Sequence, residues 1–261
     1  FGFPLDLTKE IISEFGMSVD EERFRSLLNQ QKERARNARK NAGADAWLSD
    51  NIDLKSIPKT EFVGYTQEDC GAKILAIIKD GKLVDLASEG ESVVVVLDKT
   101  SFYAESGGQV GDSGIIKAGE NILKVTDTQK DHSGIYLHCA TIENGFISVG
   151  DNVYAEIDVE RRNQIKRNHT AAHLLQASLR EVLGNHVQQA GQLVNENEVR
   201  FDFTHFSALT AEQLAKVEKT VNEKILASIE VENQEMPIEE ARKLGAMALF
   251  GEKYGSRVRV V

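Results

Sequence analysis

Two histidines four residues apart, His169 and His173, lie in the stretch R-N-H-T-A-A-H-L-L. Residues at positions i and i+4 of an α-helix lie on one face, so both imidazoles can reach a single object. Neutral imidazole is a common metal ligand, which makes this pair a candidate metal site. The spacing alone is also compatible with two histidines that pack at the margin of a core, and both interpretations remain open.

The neighbours of the first histidine limit the chemistry. Zinc proteases of the H-E-x-x-H type place a glutamate directly after that histidine as general base, and here the position is Thr170. This excludes a metalloprotease of that type. Asn168 and Thr170 flank His169, and we expect their side chains to hydrogen-bond either a substrate or a neighbouring turn of the helix.

A glycine-rich loop, Y-A-E-S-G-G-Q-V-G-D-S-G, covers residues 103–114 and holds four glycines between Gly107 and Gly114. Glycine lets a backbone take positive φ or approach another group closely. Such a loop is more often an ordinary turn of a hairpin, and a ligand-binding segment is the alternative.

The overall charge restricts the partners. A formal net charge of −10 and a pI near 5.2 argue against a protein that coats nucleic acid non-specifically. A local basic patch can still bind it, and the sequence has two. The cluster at residues 32–40 is interpreted as a solvated helix face, whereas a second cluster directly precedes the histidine pair and consists of Arg161, Arg162, Lys166 and Arg167.

The sequence pattern predicts an α+β fold for the helices and strands that position these residues. Thr8 is a candidate N-cap for a short helix with Ile11, Ile12 and Phe15 on its apolar face and Gly16 as its stop. Asp20 precedes a charged helix that extends to about Lys40. We expect this second helix to turn Phe24, Leu27 and Leu28 inward, and residues 41–51 to form a linker.

Short β-branched runs follow and predict a small antiparallel β-barrel. Beyond it, the histidine helix is expected to begin near Asp158 and to end near Leu183 with Gly184 as its stop, before a strand-turn-strand segment. Thr210 and Gln213 form a candidate capping box, and Pro237 in a first turn starts a last short helix that Gly245 ends. The barrel runs are Ala72–Ile78, Val93–Leu97, Ile122–Val125, Ile135–Ala140 and Val153–Ile157, and the apolar stripe of the capped helix is Leu214, Val217, Val221, Ile225 and Ile229.

Composition indicates a globular protein. Apolar residues make up 41% of the chain, and no apolar run is long enough for a membrane span or a signal peptide, so no membrane partner and a cytoplasmic location are expected. Cys70 and Cys139 are too few for a disulfide framework and are expected to be reduced. The first residue is not Met, and we expect the chain to be an internal fragment of a larger protein.

The whole chain resembles the alanyl-tRNA synthetases, in the order of that family's motifs. The resemblance is carried by the segment from R-R-N-Q-I-K-R-N-H-T-A-A-H-L-L to H-V-Q-Q-A-G, then by R-F-D-F-T-H-F and A-M-A-L-F-G-E-K-Y-G. Upstream, F-Y-A-E-S-G-G-Q-V-G-D-S-G is similar to the family's glycine motif, and F-G-F-P-L-D-L-T is similar to the end of its tRNA-recognition region.

The resemblance implies an editing module that hydrolyses the aminoacyl ester of tRNA(Ala) charged with serine or glycine. In the family a zinc ion is held by the H-x-x-x-H pair, matched by His169 and His173, and by a Cys and a His of a later segment. That segment has no match here, so the expected zinc site is incomplete. Either the zinc is bound weakly, or water or the neighbouring His186 or His205 fills the remaining positions; both of these histidines are taken as structural by default.

The resemblance also implies roles for other residues. Gln189 corresponds to a glutamine that contacts the aminoacyl group, and it is grouped with Thr170 and Asn168 as catalytic candidates. Gly107, Gly108 and Gln109 would form a wall of the substrate pocket, and the second basic cluster would bind the tRNA(Ala) acceptor end. Gln192 stands where the family commonly has serine, so the polarity of the pocket is expected to differ.

The implied organisation is a helical end of the tRNA-recognition region at 1–45, a linker at 46–60, the barrel with the glycine motif at 61–157 and an editing core at 158–261. The family also ligates alanine to tRNA with ATP and Mg, but no class II catalytic motif is found here, so aminoacylation is not expected of this chain. Two alternatives remain: a non-catalytic tRNA-binding fragment and a freestanding trans-editing deacylase.

Overall fold

A computed structural model describes residues 5–41, 54, 56–245 and 256–261. The chain divides into two compact units, residues 1–53 with 80–82 and residues 54–79 with 83–261. Across the described ranges, no helix is both long enough and apolar enough to span a membrane.

The first unit contains two helices, α1 at Leu5–Ser13 and α2 at Glu21–Asn41. Thr8 lies inside α1, so its predicted N-cap role is wrong; the helix begins earlier, at Leu5. Gly16 is confirmed as the stop, because its φ of 66° is in the left-handed region and its N–H donates to the Ser13 carbonyl at 3.0 Å. Asp20 caps α2 by accepting from the Arg23 N–H at 2.9 Å.

The inward orientation predicted for three residues of α2 is wrong. Phe24, Leu27 and Leu28 are exposed, with Leu27 at 53%. The helix carries mainly charged and polar side chains, so its few apolar residues do not define a buried stripe within the described part of this unit. The side chains of the basic cluster at 32–40, and all but the first residue of the predicted linker at 41–51, lie outside the described residues.

The second unit begins with a closed barrel of six antiparallel strands in the ring order β11-β7-β8-β9-β5-β2, and β2 pairs back with β11. This confirms the predicted barrel and all five of its predicted runs. The strands of this region are β1 Glu61–Phe62, β2 Asp69–Lys79, β3 Lys82–Val84, β4 Leu86–Ser88, β5 Ser92–Leu97, β6 Lys99–Thr100, β7 Gly114–Ala118, β8 Asn121–Lys130, β9 Tyr136–Asn144, β10 Phe146–Ser148 and β11 Asn152–Ile157.

Alternating residues of these strands fill the barrel. Val93, Val95 and Leu97 of β5 point to one side and pack with Ile116 and Ile142 in one buried apolar cluster. A polar exception is His138 of β9, which is fully buried. Its Nδ1 donates to the Val95 carbonyl at 3.0 Å, which leaves Nε2 to accept from the Thr100 hydroxyl at 2.8 Å.

The remainder of this unit is mixed α and β: α3 Val159–Leu183, β12 Gln189–Val194, β13 Val199–Phe203, α4 Ala211–Leu226, β14 Gln234–Pro237, α5 Ile238–Lys243 and β15 Arg257–Val260. The predicted bounds of the histidine helix, the hairpin β12–β13 and the Thr210–Gln213 capping box are confirmed. Pro237 is the N-cap residue of α5 and not a first-turn residue, because it also closes β14.

The predicted stripe of α4 is only partly correct. Val217 is buried and Val221 packs beside it, against Leu179 of α3. Leu214 and Ile225 are exposed, and α4 ends at Leu226, before Ile229. The buried face of α4 is therefore narrower than the sequence pattern predicts.

Candidate functional site

The histidine pair lies in the middle of α3. Its N-terminus is fixed by the Asp158 side chain, which accepts from the Arg161 N–H, and the helix is held by a buried stripe that includes Ile165, Ala172 and Leu179. The rings of His169 and His173 are parallel, with centroids 5.1 Å apart and an interplanar angle of 3°. The predicted juxtaposition of both imidazoles on one helix face is therefore present.

Gln109 of the glycine loop holds the first histidine. Its Oε1 lies 2.6 Å from His169 Nδ1. Because an amide oxygen only accepts, Nδ1 carries the proton and Nε2 keeps a free lone pair. Gln109 is itself buried and orients the imidazole; its place in the wall of a substrate pocket stays a prediction.

The surroundings of both imidazoles favour their neutral forms by lowering the pKa of each ring. Burial lowers the pKa of His169, and the neighbouring His173 lowers it further. Burial also lowers the pKa of His173. Neutral imidazole is the form that binds a metal or accepts a proton, so the environment prepares both rings for either role.

The glycine loop is fixed against β12. The Val194 N–H donates to the Gly108 carbonyl at 2.8 Å and the Val110 N–H donates to the Val194 carbonyl at 3.1 Å. Gly107 and Gly108 both have positive φ, and a Cβ on Gly108 would lie 2.5 Å from the Gln192 Cγ. The group that the loop approaches closely is thus a strand of the same chain.

Gln192 has a structural role that the sequence did not reveal. Its Nε2 donates to the Gly107 carbonyl, which ties the loop to the strand that also carries Gln189. The side chain of Gln192 therefore anchors the loop. Its expected effect on the polarity of a substrate pocket stays a prediction.

The two polar neighbours of His169 contact their own surroundings. The Asn168 Nδ2 donates to the Asn195 carbonyl at 2.7 Å, and the Thr170 hydroxyl donates to the Lys166 carbonyl at 3.0 Å. Thr170 therefore bonds the preceding turn of its own helix, as one of the two expectations had it, whereas Asn168 ties the helix to the turn between β12 and β13. Successive residues of a helix also point roughly 100° apart, which directs both side chains away from the His169 ring.

The basic cluster separates into two parts. Arg162 forms a buried ion pair with Asp112 and also donates to the carbonyls of Gly64 and Ser101 at 3.0 and 2.9 Å. Arg161 donates to the Gly111 carbonyl at 2.8 Å and pairs with Glu196. Both arginines, predicted to bind substrate, use their donors within the protein and hold the glycine loop on α3.

Lys166 and Arg167 differ from these arginines. Both side chains are exposed, and in the described part of the chain neither forms an ion pair. A cation without a carboxylate partner can take up a phosphate without breaking an existing contact. These two residues are therefore the members of the cluster that are free to bind an anionic ligand.

The remaining candidates surround the hairpin. Gln189 begins β12 opposite Phe203 and is half-buried. His186 and His205 bond to each other, with His186 Nε2 and His205 Nδ1 2.9 Å apart, and Phe206 stacks on His186. This contact agrees with the structural role expected for both histidines.

Two side chains of this site, His169 and His173, have the chemistry of metal ligands. Their chemistry suits zinc, since two imidazoles lie on one helix face. Gln109 fixes the proton of His169 on Nδ1, which leaves Nε2 as the nitrogen that can bind a metal. Among the described residues, no group of three or more His, Cys, Asp or Glu side chains is arranged to hold a metal. Any further ligands would be water, or side chains outside the described part.

Comparison with known proteins gives consistent matches. The family model described as tRNA synthetases class II (A) matches residues 1–161. The chain is 53% identical over 262 residues to an alanine–tRNA ligase of Acetivibrio thermocellus, 47% over 261 to one of Bacillus subtilis and 48% over 262 to one of Clostridioides difficile. Each match covers all of this chain but only 30% of the relative, so the chain spans about 30% of the length of these relatives.

Proposed function

The chain belongs to the tRNA synthetases class II (A), and we propose that it is an editing module, which hydrolyses the ester of tRNA(Ala) mischarged with serine or glycine. The observation that carries the proposal is the His169–His173 pair, parallel and oriented by Gln109 of the glycine loop. The histidine helix and the glycine loop meet at this pair, and the hairpin β12–β13 contacts the helix through Asn195 and the loop through Val194.

Ester hydrolysis needs an activated water and stabilisation of a developing oxyanion. His169 and His173 would hold zinc, which when bound supplies a Lewis acid that polarises the ester or lowers the pKa of a water. The protein's own contribution is the orientation of the ligands. Gln109 keeps the proton of His169 on Nδ1, and the two anchors of the glycine loop keep Gln109 in place.

Substrate selection is assigned to the loop and the strand beside it. An apolar pocket rejects an added hydroxyl poorly, whereas polar groups that bond a hydroxyl discriminate strongly. The backbone of Gly107 and Gly108 and the side chain of Gln189 would supply such groups near the histidines. Asn168 and Thr170 act through the helix that carries His169, and we assign them positioning roles.

The acceptor end of the tRNA would lie along the exposed cations of α3. Lys166 and Arg167 are free of carboxylate partners in the described part, and Lys166 is one turn before His169. The net charge of −10 limits the attraction to this local patch. The arrangement therefore favours recognition of one end of an RNA over coating of its whole length.

The rest of the proposal concerns the longer protein. By analogy with the ligases it matches, that protein would work in the cytoplasm and would join alanine to tRNA(Ala) with ATP and Mg, in a part other than this chain. The core around α3 would then be of the alanyl and threonyl editing type. A second candidate, a tRNA-binding module without catalysis, is favoured by one observation: the described residues offer only two metal ligands.

The test is hydrolysis of Ser-tRNA(Ala) by the full chain, with zinc added or with a chelator. We expect deacylation that requires zinc and is lost in His169→Ala and His173→Ala. The matched control is His132→Ala, which removes an exposed histidine of the β8–β9 turn and should keep wild-type activity. Binding of the tRNA without any hydrolysis, with or without zinc, would favour the non-catalytic module.

A further inference from the structure

A groove with a volume of about 390 Å³ lies between the loop at 64–69 and the first half of α3. Arg162 and Lys166 line it from the helix, and Tyr65 lines it from the loop. We call it the Tyr65 groove. Its volume falls in the range of small-ligand pockets, roughly 300–1,000 Å³.

The loop wall is held rigidly. The Gly64 carbonyl accepts from Arg162 Nη1 at 3.0 Å, and a Cβ on Gly64 would lie 2.2 Å from the Ser101 carbonyl oxygen. The N–H groups of Thr66 and Gln67 both donate to the Val63 carbonyl at 3.1 Å, closing a tight turn. A ligand would therefore meet a preformed wall and would not have to order it.

Tyr65 presents an aromatic ring at this wall. Its side chain is 65% exposed although the loop around it is fixed. Phe62 contacts it in an edge-to-face arrangement, with ring centroids 5.0 Å apart, and the Arg259 guanidinium lies 4.5 Å from its centroid. Arg259 covers one face of this ring, so a planar base would stack on the ring surface that Arg259 leaves open.

Lys166 supplies the charge on the opposite wall. Within the described ranges, its ammonium has no carboxylate partner. It precedes His169 by three residues, which is about 4.5 Å along the helix axis and on the same face. A nucleotide in this groove would therefore lie next to the histidine pair.

We propose that the Tyr65 groove is a nucleotide subsite, in which Tyr65 stacks an unpaired base and Lys166 contacts the adjoining phosphate. That the nucleotide belongs to the unpaired end of a tRNA rests on the proposed function. Two carboxylates also line the groove, Glu68 and Asp69. They repel a phosphate on the loop side, so the backbone enters on the side of Lys166, and they suit ribose hydroxyls or exocyclic amines.

The test measures binding of uncharged RNA to the full chain by fluorescence anisotropy. The probe is a hairpin with the tRNA(Ala) acceptor stem and an unpaired 3′ end, compared with a blunt hairpin of the same stem. Tyr65→Ala should weaken binding of the tailed hairpin roughly 5- to 100-fold, the range for loss of one base–aromatic stack. Tyr65→Phe should stay within about twofold, because its ring is retained.

Two further comparisons complete the test. Lys166→Ala should lower the slope of log K against log salt by about 0.7 to 0.9, the value for one phosphate. The controls are Phe146→Ala and Lys216→Ala, which change an exposed ring on β10 and an exposed cation on α4 and should leave binding unchanged.

The proposal is overturned if Tyr65→Ala binds the tailed hairpin as wild type does, or if tailed and blunt hairpins lose affinity equally. Its failure is distinct from failure of the proposed function. A wild-type chain that hydrolyses Ser-tRNA(Ala) while Tyr65→Ala binds normally refutes only the subsite. A chain that never hydrolyses the ester, but loses binding in Tyr65→Ala, supports the subsite and refutes the editing activity.

Discussion

Replacing Arg162 with methionine should destabilise the protein strongly without lowering the salt dependence of its RNA affinity, because the guanidinium pairs with Asp112 and not with a phosphate. The Arg162 side chain is 11% exposed and its partner Asp112 is 2% exposed. Methionine keeps much of the length but removes every donor, so a buried carboxylate loses its cation and the carbonyls of Gly64 and Ser101 lose a donor. Breaking a buried pair in this way costs about 3–5 kcal/mol of unfolding free energy.

The assay is urea unfolding followed by circular dichroism, with Lys166→Met as the matched variant. Lys166 is exposed and unpaired in the described part, so we expect its replacement to change the unfolding free energy by no more than about 0.5 kcal/mol. The double variant Arg162→Met with Asp112→Asn should recover about 1–2 kcal/mol, because the uncompensated charge is removed. The Asn oxygen can still accept from the Tyr103 N–H.

The structural role of Arg162 is refuted if Arg162→Met and Lys166→Met have the same stability and only the former lowers RNA affinity and its salt dependence. That result would mean that Arg162 binds RNA, as the sequence suggested, and does not hold the glycine loop. A double variant less stable than Arg162→Met alone would also count against the role assigned to the buried charge.

Three further predictions concern pH, the loop and the metal. Burial lowers the pKa of His138 to about 4. The neutral ring therefore contributes fully to the unfolding free energy above about pH 6.5, and roughly 3 kcal/mol of that free energy is lost as the pH falls toward 4. Urea titrations at several pH values should show this dependence of the unfolding free energy in wild type and not in His138→Gln. Gly108→Ala places a Cβ against Gln192 at a position with positive φ and should lower the unfolding free energy by about 1–3 kcal/mol. The control is Gly119→Ala: Gly119 also has positive φ but no atom lies within 4 Å of its Cβ position, so this variant measures the cost of the backbone conformation alone. Gln109→Leu removes the acceptor that orients His169 and should weaken zinc binding roughly 10- to 100-fold in competition with a chromogenic chelator; unchanged affinity would contradict that role.

The sequence predicted the features that depend on local patterns. Short β-branched runs located the barrel strands. The Thr210–Gln213 box and Gly184 located helix ends, because capping depends on residues three or four apart. The inward orientation of Leu27 in α2 failed because a few apolar residues in a charged helix do not show what they pack against.

The contacts that build the candidate site were not visible in the sequence. Gln109 and His169 are 60 residues apart, and Arg162 and Asp112 are 50 apart. No local spacing connects such pairs, since the closure of the barrel and the docking of α3 decide which side chains meet. For the same reason one basic cluster contained partly buried arginines that bond within the protein as well as an exposed lysine.

The most direct test of the proposed editing activity is the single-turnover rate of deacylation of Ser-tRNA(Ala) by the full chain in zinc, compared with that of Ala-tRNA(Ala). We predict that the serine ester is hydrolysed at least about tenfold faster, because polar groups beside the histidine pair bond its hydroxyl. Equal rates for the two esters, or no hydrolysis of either in the presence of zinc, would contradict the proposal.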